Sequence, residues 1–313
     1  MKTRLSRIVI FLFCLFCIAY PITVIGVAFD VHAPFSMAWA ASALLILEGT
    51  MLTVALMDEY GPPGLFAAIV IALFSYGIEV LGVGTGFPFG SYRFSGVLWP
   101  RLPGGVPLVV IFVWLLIMIA VRGLTVRPPL LMGGRWIISI LMAALTATFL
   151  DLEIEPVAFH VEHYWDWLAP GHLSYYGVPL MNFVAWFVVA LVLSLLVNRI
   201  LLRAISFQDI SSFSSRLPLN VPTWLYFANV FMFGLVDLTH GYYIAVGIAV
   251  LAAILPFVIP PLPGISPLPV IAAFGTEQDQ VFQPDRKRVE QDWVFQPDRK
   301  RVKKTKKARR KRR

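Results

Sequence analysis

The 313-residue chain is 58% hydrophobic and only 14% charged, with a mean hydropathy of +0.76. A soluble domain carries roughly 25% charged residues, so a soluble globular fold is excluded and an integral membrane protein is implied. The net charge of +8 belongs to one end: 15 of the 26 Lys and Arg lie from Gln280 onward, while residues 1–276 hold 11 basic and 12 acidic side chains, so it implies nothing about what the body binds.

Residues 1–7 (MKTRLSR) are a short basic lead into an apolar run over 8–29. That run is long enough to span a bilayer and lacks a small-x-small cleavage site, so it reads as an uncleaved first helix. Cys14 and Cys17 form a CxxC inside it. An apolar setting favours no thiolate, so packing rather than redox or metal chemistry is expected there. A second run over 34–57 carries Glu48 near its centre, and a tight Gly-Pro-Pro-Gly connection leads to a third over 65–83 with Glu79 inside it. Residues 79–107, EVLGVGTGFPFGSYRFSGVLWPRLPGGVP, turn from an acid in an apolar helix into a loop rich in Gly, Pro and aromatics. Irregular backbone and an intramembrane acid are both costly, and both mark function.

The fourth run covers 106–121, and the fifth covers 136–150 and ends at Asp151. A long polar and aromatic loop follows, with Glu153, Glu155, His160, His163, Trp165 and Trp167. The sixth run, 178–197, has Asn182 in its first turn; runs over 222–236 and 242–259 are split by Asp237-Leu-Thr-His240-Gly and form two spanning helices or one re-entrant pair. The expected fold is therefore an all-α polytopic bundle of seven or eight transmembrane helices over 1–262. With the N-terminus inside, Lys2, Arg4, Arg7, Arg122, Arg127, Arg135, Arg199, Arg203 and Arg216 are all cytoplasmic, and only Arg93 and Arg101 lie outside, as the positive-inside rule requires. Both termini are then cytoplasmic and the protein is a multi-pass component of the plasma membrane.

Residues 263–313 read as a disordered tail. VFQPDRKRV stands at 281–289 and again at 294–302, before KKTKKARRKRR. Dense like charge with few apolar groups argues against packing. Anionic inner-leaflet lipid is its candidate partner, beside a purely solubilising role, and no specific nucleic acid is expected.

In this topology Glu79, Asp151, Glu153, Glu155, Asn182, Asp237 and all five histidines (His32, His160, His163, His172, His240) gather on the outer side. His160 and His163 have a spacing that suits one metal ion, but five scattered histidines are too few for a di-iron membrane hydroxylase. No Walker loop, dinucleotide fingerprint or Gly-x-Ser-x-Gly elbow occurs. The expectation is acid–base chemistry with no cofactor and no metal.

The stretch from Glu79 to Arg93, EVLGVGTGFPFGSYR, resembles the signature of bacterial and archaeal carotenoid-biosynthesis membrane proteins, the carotenoid 1,2-hydratases acting on gamma-carotene and bisanhydrobacterioruberin. Further similarity lies in Gly105-Val-Pro-Leu108 leading to Trp114, in Asp151 to Pro156, in Trp165-Asp-Trp167, and in Tyr176-Gly-Val-Pro-Leu-Met-Asn-Phe183 with Trp186. The sequence departs from that pattern at Gly84 and at Glu155. The resemblance implies hydration of the terminal C1=C2 bond of a polyene: a proton to C2, a tertiary cation at C1, and water added there. It makes Glu79, Asp151 and Glu155 the candidate catalytic acids. It makes Phe87, Phe89, Tyr92, Trp99, Asn182, Trp186 and Asp237 the candidate substrate contacts, with aromatic faces steadying the cation. The implied partners are a carotenoid in the bilayer and other carotenoid enzymes. Two other readings use the same residues: a non-catalytic carotenoid- or lipid-binding or assembly protein, and a proton-coupled transporter working through Glu48 and Glu79.

Overall fold

The structure is a computed structural model, and it describes residues 4–31, 39–125, 136–169, 171–205 and 220–258. The expected positions of His32, Arg127, Arg135, Arg216 and the basic tail lie outside the described residues. Among the described residues eight α-helices follow one another: α1 (Arg4–Ala28), α2 (Ala40–Tyr60), α3 (Pro62–Thr85), α4 (Leu108–Thr125), α5 (Trp136–Pro156), α6 (Leu180–Ile205), α7 (Val221–His240) and α8 (Tyr243–Val258). The first seven are long and apolar enough to cross a membrane, and α8 is a shorter apolar helix.

Most of these helices are apolar around their whole circumference, which is the pattern of helices solvated by lipid on one face and protein on the other. Large side chains such as Phe11, Ile18, Phe66, Leu73 and Phe231 point outward, while Met51, Ile71, Trp114, Leu193 and Leu225 fill the interior. α4 is the central helix: thirteen of its residues, Trp114 and Val121 among them, are buried. Small residues set the closest approaches. A Cβ on Gly49 of α2 would stand 2.7 Å from the carbonyl oxygen of Phe112 on α4, the close backbone contact that small residues permit between membrane helices.

Among the helix limits that differ from those the sequence suggests, two bear on the outer acids. The fifth helix does not stop at Asp151; it continues to Pro156 and through a π-helical turn, Val157–Val161. Acidic residues at its end are therefore helical rather than in a loop. The seventh helix likewise runs on to His240, where Gly241 ends it in the left-handed conformation (φ 83). Asp237 lies within the last turn rather than beyond it.

The loops after α3 and α5 meet at one end of the bundle, the loop end. There strand β1 (Tyr92–Phe94) pairs antiparallel with β2 (Trp165–Trp167), Tyr92 opposite Trp167 and Phe94 opposite Trp165. Arg93 and Asp166, on the outer face of this ribbon, form an exposed 3.0 Å ion pair. The inner face sends Tyr92, Phe94 and Trp167 down onto the helices.

Candidate functional site

Beneath that ribbon lies a partly open cavity of about 920 Å³, counting the space at its mouth, walled by α2, α3, α4, α5, α6 and α7. Its lining is mainly apolar and aromatic, with Phe89, Trp114, Trp165, Trp167, Trp186 and Phe233 among it. Glu79, Glu155, Asn182 and Asn229 are its acidic and amide side chains, and no Lys, Arg or His is found among the described residues lining it.

Glu79 sits six residues from the loop end of α3, or about 9 Å deep at 1.5 Å per residue. It is 6% exposed. Its Oε2 accepts a 2.6 Å hydrogen bond from the Tyr92 hydroxyl, and its Oε1 accepts a 2.9 Å bond from Trp114 Nε1. Tyr92 reaches the helix because residue 82, one turn on from Glu79, is glycine: a Cβ there would meet the Tyr92 hydroxyl at 2.7 Å. Burial, and after it the Glu79 charge, pushes the Tyr92 phenol far above its usual range, so Tyr92 stays a neutral donor.

Because α5 continues past Asp151, Asp151 and Glu155 stand four residues apart on one helix face. Both are buried. The Asn182 amide bridges them, donating from Nδ2 to Asp151 Oδ2 at 3.1 Å and to Glu155 Oε1 at 3.0 Å. Trp165 and Trp167 donate their indole N–H groups to Glu155 Oε2 at 3.1 and 3.3 Å. Glu155 thus accepts three hydrogen bonds and Asp151 accepts one. Asp151 stands behind Asn182 and outside the cavity lining, within electrostatic reach of Glu155 and Glu79. Beside this trio Trp114 and Trp186 stack at 4.0 Å with planes 12° apart, a pair of π faces next to carboxyl oxygens.

The expected site residues divide accordingly. Glu79, Glu155, Phe89, Tyr92, Asn182 and Trp186 line the cavity, and Asp151 backs it. Phe87 and Trp99 do not join them: they are 68% and 52% exposed on the loop, turned away because the ribbon points Tyr92 and Phe94 inward instead. Asp237 also lies apart. It is fully buried near Glu153, which is two residues from both Asp151 and Glu155 and therefore points from the opposite face of α5. Glu153 packs against Gly234 of α7, where a Cβ would come within 3.3 Å of Oε1. Among the described residues no side-chain donor reaches the oxygens of either acid. His160 and His163 bond backbone carbonyls, of Tyr176 and Phe159 respectively, and no group of three His, Cys, Asp or Glu side chains suited to a metal occurs among the described residues.

Trp114, Trp165 and Trp167 have indole donor roles that spacing does not reveal; an interfacial aromatic belt explains Trp165 and Trp167 equally well on paper. Asn229 was open to notice as a lone amide in an apolar helix.

The carotenoid biosynthesis protein family matches residues 40–256, which takes in every cavity residue named above. The chain is also 32% identical over 124 residues to the bisanhydrobacterioruberin hydratase of Haloarcula japonica; the match covers 38% of this chain and 40% of that protein. The chain thus spans less than half the length of this relative. No solved structure matches.

Proposed function

The chain belongs to the carotenoid biosynthesis protein family, and on that premise we propose that it is a hydro-lyase of the plasma membrane that hydrates the terminal C1=C2 bond of a psi-end carotenoid. The observation that carries this reading is the trio Glu79, Asp151 and Glu155 beside the stacked Trp114 and Trp186, at the wall of an otherwise apolar cavity. An apolar slot suits a polyene, and adjacent carboxyl groups suit proton transfer to and from its end.

Glu79 gives its proton to C2, and the positive charge develops at C1. The indole faces of Trp114 and Trp186 and the nearby carboxylates stabilise that tertiary cation. Glu155 faces three donors, the most in the trio, and is best held as the anion. It takes a proton as water adds its oxygen to C1. The proton returns from Glu155 to Glu79 by way of Asp151, so the protein ends unchanged and the net reaction is alkene plus water to tertiary alcohol. Asn182 keeps Asp151 and Glu155 in register for that return.

The test is pigment analysis after co-expression with a lycopene-producing pathway, in water enriched in 18O. A mass gain of one labelled water per reacted end is expected. Unaltered lycopene beside correctly inserted protein, or bound lycopene that never takes up 18O, would point instead to a carrier.

A further inference from the structure

The cavity has a second polar point that the reaction above does not use. Asn229 lies on α7, eleven residues from its loop end, and is 3% exposed. Glu79 and Trp114 lie six residues from the loop ends of their own helices, so Asn229 is about 7 Å deeper by helical rise. Its Nδ2 donates at 2.9 Å to the Leu225 carbonyl and at 3.5 Å to Glu48 Oε2. Both partners are acceptors, which fixes the nitrogen of the amide on the helix side. Asn229 nevertheless lines the cavity, and the atom left for the cavity is Oδ1. Behind it Glu48 is 1% exposed, with Oε1 lacking a hydrogen-bond partner among the described residues.

Holding an amide and an acid in an apolar slot is expensive unless a ligand group satisfies them. A carbonyl oxygen turned toward the slot takes an O–H donor, and a pure hydrocarbon offers none. We propose that Asn229, held by the Leu225 carbonyl and backed by Glu48, is a hydroxyl-binding point, so that the cavity accepts an acyclic isoprenoid alcohol whose O–H lies about 7 Å deeper along the bundle than the double bond presented to the carboxyl trio. The inference rests on the hydratase reading for the place of the reacting bond alone; the binding point stands on Asn229 and Glu48. About six carbon–carbon bonds, at roughly 1.2 Å of advance each, cover that separation. Geraniol, with a terminal trisubstituted double bond and a hydroxyl at its other end, is a short probe of this shape.

The experiment measures equilibrium binding of isotope-labelled geraniol and of geranyl methyl ether to the purified full-length protein in detergent. The ether keeps the alkene and loses the donor. The wild type is expected to favour the alcohol, and Asn229→Leu to lower the alcohol-to-ether ratio roughly 5- to 10-fold, the range for one lost hydrogen bond to a buried acceptor. Glu48→Leu removes only the longer 3.5 Å contact, leaves the 2.9 Å bond to the Leu225 carbonyl, and lowers the ratio less. Because the ratio is compared between proteins, partitioning into detergent cancels; Asn229→Ala replaces the leucine variant if that protein does not insert. Equal binding of alcohol and ether by the wild type means that Oδ1 holds water alone and overturns the proposal, as does an unchanged ratio in the Asn229 variants. Lycopene hydration is followed on the same preparations. Its absence from the wild type, together with no hydration of the geraniol double bond but with the alcohol preference intact, removes the hydratase reading and leaves the hydroxyl point in place.

Discussion

Glu79 holds two donors at once, and each can be removed separately. Glu79→Gln keeps the shape of the side chain and removes the acid, so hydrated product should fall by about 100-fold or more while the protein still inserts; pigment mass spectrometry and membrane immunoblotting check the two halves. Trp114→Phe keeps an aromatic face beside Trp186 and removes only the N–H to Glu79 Oε1. Glu79 becomes charged as it gives up its proton, and loss of one hydrogen bond to a charged acceptor is worth about 1.5–3 kcal/mol, so a drop of roughly 10-fold or more in initial rate is expected, smaller than that of Glu79→Gln. By contrast, Asp166→Asn breaks an ion pair whose partners are 69% and 43% exposed. Such a pair contributes little, and product yield should stay within about twofold of wild type. At this scale the sequence was informative about acids, because a carboxyl in an apolar run stands out, and uninformative about donors. Nothing in the spacing of Trp114, Trp165 and Trp167 says that their N–H groups converge on two particular carboxyls; the pairing of β1 with β2 places Trp165 and Trp167, and the packing of α4 against α3 places Trp114.

Helix α5 shows how an element's length decides which residues meet. Reading its end at Asp151 makes Glu153 and Glu155 loop residues with no defined direction. The apolar pattern does stop there, since three acids follow within five positions, but the neighbouring helices bury them and the backbone stays helical. Once it does, Asp151 and Glu155 share a face and Glu153 takes the other. Inserting one alanine between Leu152 and Glu153 should therefore turn Glu155 by about 100°, carry it out of the cavity and abolish hydration, with Asp151 left in place. The same insertion between Trp136 and Ile137, at the far end of the helix, is the control: the segment from Ile137 onward keeps its register with α6, and activity should survive. Helix contacts allow a second test. Gly49→Val puts side-chain atoms where the Phe112 backbone lies, and overpacking of this kind costs about 1–3 kcal/mol, visible as a lower melting temperature in detergent.

For the whole molecule, the order of the seven or eight apolar helices was legible because hydropathy over some twenty residues is a strong signal. The cavity was not, since it is made by six helices whose facing surfaces are no more apolar than their lipid-facing ones. Where lipid and protein interior have the same polarity, hydropathy carries no information about which side is inside. The acids of α5 bear on one more property of the molecule, the way it enters the membrane. A helix carrying Asp151, Glu153 and Glu155 is a poor substrate for the insertion machinery by itself, since an acid within a span costs up to about 2.5–3.5 kcal/mol on the translocon scale. The partners that offset this cost come from later segments: Trp165, Trp167 and Asn182 for Glu155, and Gly234 of α7 for the packing of Glu153. The fifth span thus depends on chain that has not yet left the ribosome when it is made, and its lasting insertion should wait for the sixth and seventh.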